Sequence, residues 1–268
     1  MNNRLPDYLP VRFQRIHLEL TNSCNFSCLF CPDRIMTRPR GFIKEDLARS
    51  ALRQIAELDL CDKVTFHVMG EPLLHPGFFG ILDYASQVGL RSGVTTNGAL
   101  LKPNVIEGLA GRDLHQIDIS LQSPDGESFS RTRGSRVRFD TYRQGLLDLV
   151  AACMSRPSPP IFKVRIMITR FARALREQLG IPDFLGDGTA LRRAITEWSL
   201  LIYDRLGISA RRRDVLLNNV KRIKVFGWNV IEVLPKMFIE TYVLTDWGNA
   251  FAEGRVFPAS HGYCFGMR

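Results

Sequence analysis

The chain has 268 residues, of which 45% are hydrophobic and 24% are charged, close to the composition of ordinary globular proteins. Its length suits one domain of roughly 200–250 residues with an appendage. The first residues, MNNRLPDYLPVRF, lack the apolar core of a secretory signal, and no stretch approaches the ~18 apolar residues of a membrane span. We therefore expect a cytoplasmic protein with no membrane partner.

The formal net charge of +9 comes mostly from arginine. The basic residues concentrate at positions 131–143, 192–193, 211–213 and 221–222. Such a surface could attract nucleic acid or an acidic peptide. It could equally be a set of solvated helix faces, and no nucleic-acid motif accompanies the charge. Nucleic acid is thus a possible partner that the sequence does not favour.

Strand and helix patterns alternate along the chain. Runs of β-branched or alternating apolar residues predict strands at 15–20, 63–68, 91–96, 116–121 and 162–169. Apolar residues at helical spacing predict helices at 44–58, 76–88, 103–111 and 140–154, the last with Asp140 as its N-cap. This alternation predicts parallel strands with right-handed crossovers. We expect an α/β protein with a partial (β/α)6 TIM-type barrel of parallel strands.

The second half of the chain is less regular. Long helical patterns at 189–206 and 212–225 predict an extra helical segment, in which Trp198 belongs to an apolar stripe and should pack in a core or interface. A sixth strand lies within 229–234 or 238–244, and periodicity does not decide between the two.

Three of the six cysteines, Cys24, Cys28 and Cys31, lie within eight residues, and the other three are scattered singly. This arrangement is unlike a disulfide scaffold and favours a reducing compartment. Thiolates at C-x3-C-x2-C spacing can converge on one soft metal centre and leave one coordination position open. An iron–sulfur cube with an open iron fits this pattern. A zinc site would need a fourth ligand, for which the candidates are His67, His75 and Cys61.

Four polar or glycine-containing segments fall where predicted strands end. The cysteine loop follows the first strand, and residues 69–72, 95–98 and 120–122 follow the second, third and fourth. In a parallel barrel the carboxyl ends of the strands form the rim that carries the chemistry. The sequence therefore predicts a functional site at this rim.

These segments resemble those of the radical S-adenosylmethionine (radical SAM) superfamily over about the first 170 residues. The cysteine loop matches the superfamily signature, and residues 70–76, Gly-Glu-Pro-Leu-Leu-His-Pro, resemble its glycine–glutamate–proline segment. The resemblance implies that Cys24, Cys28 and Cys31 hold a 4Fe–4S cluster whose fourth iron binds S-adenosylmethionine. Phe30 would then lie near the adenine.

Further positions are implied to contact S-adenosylmethionine. Gly70 and Glu71 would receive the methionine ammonium, which needs carbonyl or carboxylate acceptors. Ser120 and Gln122 would face the ribose or carboxylate, and Arg133 would meet the carboxylate. No residue is identified as a general base, so the catalytic residues stay unassigned.

The resemblance implies an enzyme that reductively cleaves S-adenosylmethionine to a 5′-deoxyadenosyl radical for hydrogen abstraction. A peptide or protein side chain is the expected substrate, with a flavodoxin or ferredoxin as electron donor. The alternatives are a radical SAM enzyme acting on RNA or another acidic substrate, and a degenerate, non-catalytic iron–sulfur or zinc-binding protein.

Two positions depart from the superfamily pattern. Met69 stands where the segment usually has a first glycine, and it would be strained there if that position required a positive φ. Residues 261–268 resemble the opening of a SPASM-type extension, but contain only one cysteine, Cys264, so we expect no auxiliary cluster. The expected organisation is a lead-in at 1–14, a radical SAM core at 15–245, and a connector with the first residues of a truncated extension at 246–268.

Overall fold

The computed structural model describes residues 12–28, 31–133, 136–168, 188–209, 213–215, 218, 220 and 228–243. The predicted connector and extension at 246–268 lie outside these ranges, as does much of the predicted helix at 212–225. Among the described helices, none has the length and apolarity needed to cross a membrane.

Strands and helices alternate along most of the described chain. The strands are β1 (Ile16–His17), β2 (Lys63–Phe66), β3 (Arg91–Thr96), β4 (Gln116–Gln122), β5 (Ile161–Ile168), β6 (Asn229–Leu234) and β7 (Met237–Val243). The helices are α1 (Glu45–Glu57), α2 (Phe78–Gln87), α3 (Pro103–Ala110), α4 (Gly126–Arg133), α5 (Phe139–Met154) and α6 (Gly188–Arg205).

The strands form one open sheet in the order β1-β2-β3-β4-β5-β7-β6. All neighbouring pairs are parallel except β6 and β7, which are antiparallel. This confirms the α/β fold with a partial, unclosed parallel sheet. Both candidates for the sixth strand are strands: β7 is the sixth parallel strand, and β6 pairs with it along the outer edge.

The two faces of the sheet differ in chemistry because side chains alternate along each strand. One face is apolar and belongs to the same core as the helices, with Val64, Ile117 and Val164 fully buried. The opposite face, here called the polar face, consists of His17, Lys63, Thr65, Gln116, Asp118, Ser120, Lys163, Arg165, Glu240 and Tyr242. Parallel strands buried on both faces are usually apolar throughout, whereas the strands of this sheet are apolar on one face only.

Helix α5 begins earlier than its sequence pattern indicated. Its N-cap is Arg138, without a side-chain cap, so the prediction of Asp140 as N-cap is wrong. Phe139, the first residue of the helix, packs edge-on against Trp198 and at a tilt against Phe129. Asp140 instead lies in the first turn, where a carboxylate is favourable to the helix dipole.

Helix α4 was absent from the sequence-based prediction. Its sequence is polar and short, so it has no clear apolar period. Its start is fixed by Asp125, whose carboxylate accepts the backbone N–H of Ser128 at 2.8 Å. The Asp125-Gly-Glu-Ser128 stretch could have indicated this cap.

Gly145 sets how closely α5 approaches the loop before α3. A Cβ atom at Gly145 would lie 2.8 Å from the carbonyl oxygen of Leu101.

We expect Gly145→Ala to lower the free energy of unfolding by about 1–3 kcal/mol through overpacking, despite the better helix propensity of alanine. Urea denaturation measures this change. The matched control is Gly126→Ala, whose Cβ would meet Phe139 at an ordinary 3.5 Å and should change stability by less than about 0.5 kcal/mol. Equal effects of the two substitutions would contradict the packing argument.

Candidate cofactor site

The carboxylate of Glu71 joins two of the segments that follow strands. Glu71 is 1% exposed, and its Oε1 accepts the hydroxyl of Thr96 at 2.7 Å. Its Oε2 accepts the backbone N–H of Asn97, also at 2.7 Å. Its Oε1 additionally accepts the N–H of Leu73 at 3.2 Å. The loops after β2 and β3 are therefore held together by one buried carboxylate.

Burial also controls the ionisation of Glu71. Loss of solvation raises the pKa of Glu71 from its ordinary 4.5 to about 7, although hydrogen bonds from Asn97 and Thr96 act in the opposite direction. Desolvation thus outweighs the donors that favour the carboxylate form.

Asn97 connects this carboxylate to the cysteine loop. Its side-chain amide donates to Oδ1 of Asn25 at 2.7 Å and lies 3.5 Å from Sγ of Cys24. Its Oδ1 accepts the N–H of Ala99 at 2.9 Å. Asn97 thereby combines the turn expected of an Asn-Gly pair with contacts that cross the rim.

Gly70 brings the loop after β2 against the start of the cysteine loop. It has a φ of 72°, and an added Cβ would lie 2.4 Å from the carbonyl oxygen of Thr21 and 2.6 Å from that of Ser23. Only glycine fits such a contact. Met69 is not among the described residues with positive φ, so its departure from the superfamily pattern carries no backbone strain.

Arg133 ties the end of α4 to the same rim. It is 2% exposed, and its guanidinium donates to the carbonyl oxygen of Ser120 at 2.9 Å. The guanidinium also lies over the ring of Phe26, 4.5 Å from the ring centroid, while the Arg133 carbonyl accepts the N–H of Ser27 at 3.1 Å. Arg133 therefore contacts both the cysteine loop and the end of β4.

Gln122 ends β4 in an unusual backbone conformation. It is 5% exposed and has a φ of 58°, in the left-handed region that non-glycine residues rarely occupy. It hydrogen-bonds to Tyr242, whose pKa is raised to about 12 chiefly by burial. The strain places Gln122 against β7, and its Oε1 has no hydrogen-bond partner within the described part of the chain.

The three thiols of the cysteine loop are half-buried or buried. Sγ of Cys24 accepts the N–H of Phe26 at 3.5 Å, and the carbonyl of Cys28 accepts the N–H of Cys31 at 3.1 Å. Burial raises the pKa of all three thiols, that of Cys31 to about 12. Bound metal would reverse this effect, because a positive charge stabilises thiolates.

The donor set suits an iron–sulfur cluster chemically, since three soft thiols share one loop and an amide N–H group lies at hydrogen-bonding distance from one sulfur. The described residues do not gather three or more metal-ligating side chains into one cluster. Ligation by Cys24, Cys28 and Cys31 therefore stays a prediction.

Two of the three candidate fourth ligands for zinc are engaged elsewhere. Nε2 of His75 lies 2.8 Å from the carbonyl oxygen of Ile43, and its Nδ1 accepts the N–H of Gly77. The thiol of Cys61 donates to the carbonyl oxygen of Lys63. Both side chains therefore serve local structure.

The structure brings most of the predicted site residues to one rim. Gly70, Glu71 and Arg133 lie around the cysteine loop, and Ser120 and Gln122 lie at the end of β4; Phe30 is outside the described residues. Their contacts with S-adenosylmethionine stay predictions. Asn97 is the residue that sequence reasoning undervalued, and its place directly after β3 was the available signal.

Comparison with known proteins identifies the family. A sequence profile of the Radical SAM superfamily matches residues 18–168, more than half of the chain. The AdoMet-dependent heme synthase of Methanosarcina barkeri is 29% identical over 129 residues, which cover 48% of this chain and 36% of that protein. The mycofactocin maturase of Mycobacterium tuberculosis is 28% identical over 155 residues, which cover 57% of this chain and 37% of that protein. The chain thus spans little more than a third of the length of these curated relatives.

A solved structure shows the same fold. The crystal structure of SuiB from Streptococcus suis superposes with a TM-score of 0.53 and 16% sequence identity, covering 74% of this chain and 39% of that chain. At this identity the likeness concerns the fold alone.

The ionisation of Glu71 leads to a pH-dependent prediction. Between its ordinary pKa of 4.5 and its folded-state pKa of about 7, the folded protein binds more protons than the unfolded chain, so this residue makes stability fall as pH rises. Glu71→Gln removes the titration. As pH rises across this range, we expect the free energy of unfolding of the original protein to fall, relative to that of Glu71→Gln, by up to about 3 kcal/mol. Urea denaturation at several pH values measures both free energies. A constant difference would contradict the shifted pKa.

Proposed function

Because the chain belongs to the Radical SAM superfamily, we propose that it contains the radical-generating core of an enzyme that cleaves S-adenosylmethionine reductively at a 4Fe–4S cluster. The observation that carries this proposal is the convergence of three strand-end segments on the cysteine loop. Glu71 and Asn97 link the ends of β2 and β3 to that loop, and Arg133 links the end of β4 to it.

Cys24, Cys28 and Cys31 would hold the cluster through their thiolates. Once bound, cluster and S-adenosylmethionine together supply the one-electron cleavage that yields a 5′-deoxyadenosyl radical for hydrogen abstraction. The protein's own contribution is to orient the bound molecules and to exclude water.

Glu71 and Gly70 act in this proposal through the loop after β2. Because its carboxylate already accepts three protein donors, Glu71 fixes the loop, and backbone carbonyls at Gly70 are left to receive the methionine ammonium. Arg133 would orient the carboxylate of S-adenosylmethionine, and Ser120 and Gln122 its ribose or carboxylate.

A peptide or protein is the proposed substrate, which follows from the likeness of residues 261–268 to the opening of a SPASM-type extension. A flavodoxin or ferredoxin would supply the electron. The net charge of +9 favours a second candidate, RNA or another acidic substrate. The five described cysteines are all free, in keeping with the proposed reducing, cytoplasmic setting.

The decisive experiment is anaerobic reconstitution with iron and sulfide, followed by reduction in the presence of S-adenosylmethionine. We expect 5′-deoxyadenosine, detected by chromatography and mass spectrometry. Zinc in the purified protein, or an intact cluster that forms no nucleoside, would point instead to the non-catalytic alternative.

The ligand assignment is tested by Cys28→Ala. We expect it to abolish the broad visible absorbance of the reconstituted protein and the formation of 5′-deoxyadenosine, because a cluster held by three thiolates loses one of them. The control is Cys153→Ala, which removes a buried thiol of α5 outside the cysteine loop and should retain both signals. Persistence of the absorbance in Cys28→Ala would show that the assignment is wrong.

A further inference from the structure

The polar face of the sheet contains two cations and two carboxylates that form ion pairs with each other. The guanidinium of Arg165 donates to Asp118 at 3.0 Å and to Glu240 at 3.2 Å. Lys163 forms a second ion pair with Glu240. Both carboxylates are almost fully buried, whereas the two cations are about one-quarter exposed. The charges of β4, β5 and β7 therefore balance without any ligand.

The charge of Lys63 on β2 is not balanced in this way. Its ammonium donates to the neutral amide oxygen of Gln116 at 2.6 Å, and no carboxylate in the described part of the chain lies within ion-pair distance. Burial lowers the pKa of Lys63, which shows that its charged form is poorly solvated. One positive charge on the polar face thus lacks an anionic partner among the described residues.

Unsatisfied polar atoms lie beside Lys63. Both ring nitrogens of His17 and the hydroxyl of Thr65 are buried and have no hydrogen-bond partner among the described residues. His17 is paired in register with Thr65, which lies two residues after Lys63 on the same face of β2. Buried polar groups are rarely left without partners, so these three atoms are available to hydrogen-bond a bound molecule.

Gly93 lies beside the same groups. It pairs in register with Thr65 on one side and with Gln116 on the other. A Cβ atom at Gly93 would lie 3.2 Å from the hydroxyl of Thr65 and 3.6 Å from Cε of Lys63. The lack of a side chain at this position therefore keeps the Thr65 hydroxyl and the Lys63 stem uncrowded.

The surroundings are positively charged. Burial lowers the pKa of His17, and the charges of Arg15 and Lys63 lower it further. Burial likewise lowers the pKa of His67 to about 4, with the charge of Arg165 as the next cause. The rings of His17 and His67 lie 6.4 Å apart. An anion at this place would offset the positive charges of Lys63, which acts on His17, and of Arg165, which acts on both imidazoles.

We propose that the polar face around Lys63, His17, Thr65 and Gly93 binds a carboxylate of the substrate. Lys63 forms the ion pair, and His17 and Thr65 donate hydrogen bonds. This inference rests on the proposed function and narrows its substrate to a peptide that presents an acidic side chain or a C-terminal carboxylate.

A carboxylate fits the donors better than a phosphate does. The strand backbone N–H groups of β2 and β3 are used in the sheet, so the donors are a single ammonium, an imidazole and a hydroxyl. Phosphate sites usually combine arginine forks with free backbone N–H groups. Arg165 of β5 is already engaged by two carboxylates.

Binding is tested on the reconstituted full chain with N-acetylglutamate α-amide as the probe and N-acetylglutamine α-amide as its uncharged counterpart. Inorganic phosphate is the third arm. Imidazole signals are followed by NMR at constant pH, with the His17 signal assigned from its loss in His17→Gln. We expect saturable shifts of the His17 and His67 signals with the glutamate probe alone.

Lys63→Met should weaken binding of the glutamate probe by about tenfold, because it removes the charged partner. Lys63→Arg, which keeps the charge, should retain most of the affinity. The matched control is Lys102→Met at the exposed N-cap of α3, which should bind like the original protein. Urea denaturation of each variant verifies that it is folded.

Four outcomes overturn the proposal: equal shifts with both amides, unchanged affinity in folded Lys63→Met, shifts with phosphate alone, or no shift with any probe. Shifts with phosphate alone would indicate a phosphate-bearing substrate. The assay needs no turnover, so a failure to form 5′-deoxyadenosine would remove the proposed function and leave the carboxylate site to be judged on its own.

Discussion

The buried carboxylate of Glu71 is the interaction on which the rim depends. Hydrogen bonds of the parallel ladder align the strands but end where the strands end, so the loops beyond them need other links. Glu71 provides one by accepting donors from two loops with both oxygens. Asn97 extends the link to the cysteine loop, and Gly70 allows the backbones to touch. The position of the cysteine loop thus depends on residues that follow two different strands, β2 and β3.

Much of the fold could be predicted from sequence because its signals are local. The bounds of β3 were predicted in full, and the helices before and after it within two residues, since apolar periodicity and flanking Pro or Gly residues mark them. The missing helix α4 has a polar sequence, and its cap at Asp125 is the signal that periodicity does not record. The antiparallel pairing of β6 with β7 depends on how the two strands are placed in the folded protein, and the sequence pattern of neither strand specifies it.

The sequence predicts which residues belong to the site, but it does not predict which atoms they contact. Position at a strand end selects the segments 69–72 and 120–122, because parallel strands share one carboxyl edge. The resemblance to the superfamily then implies Gly70, Glu71 and Ser120 within them. The contact of Asn97 with Cys24 joins residues 73 positions apart, and no local pattern specifies it. The three hydrogen bonds to the Glu71 carboxylate likewise appear only when the segments after β2 and β3 are placed together. The rim and the polar face differ in how their buried polar groups are hydrogen-bonded. The Glu71 carboxylate accepts three protein donors, whereas the two ring nitrogens of His17 have no hydrogen-bond partner among the described residues.

The pairing of β5 with β7 has a consequence for the order in which the protein folds. Lys163 and Glu240, which join these strands on the polar face, are 77 residues apart, whereas β2, β3 and β4 each follow their neighbour after one helix. Contacts that close long loops form slowly. We therefore expect the first four strands and their rim to assemble while Lys163 and Arg165 still await Glu240. Because the two cations remain solvated until then, docking of β7 is the step that converts an open charged surface into a buried one.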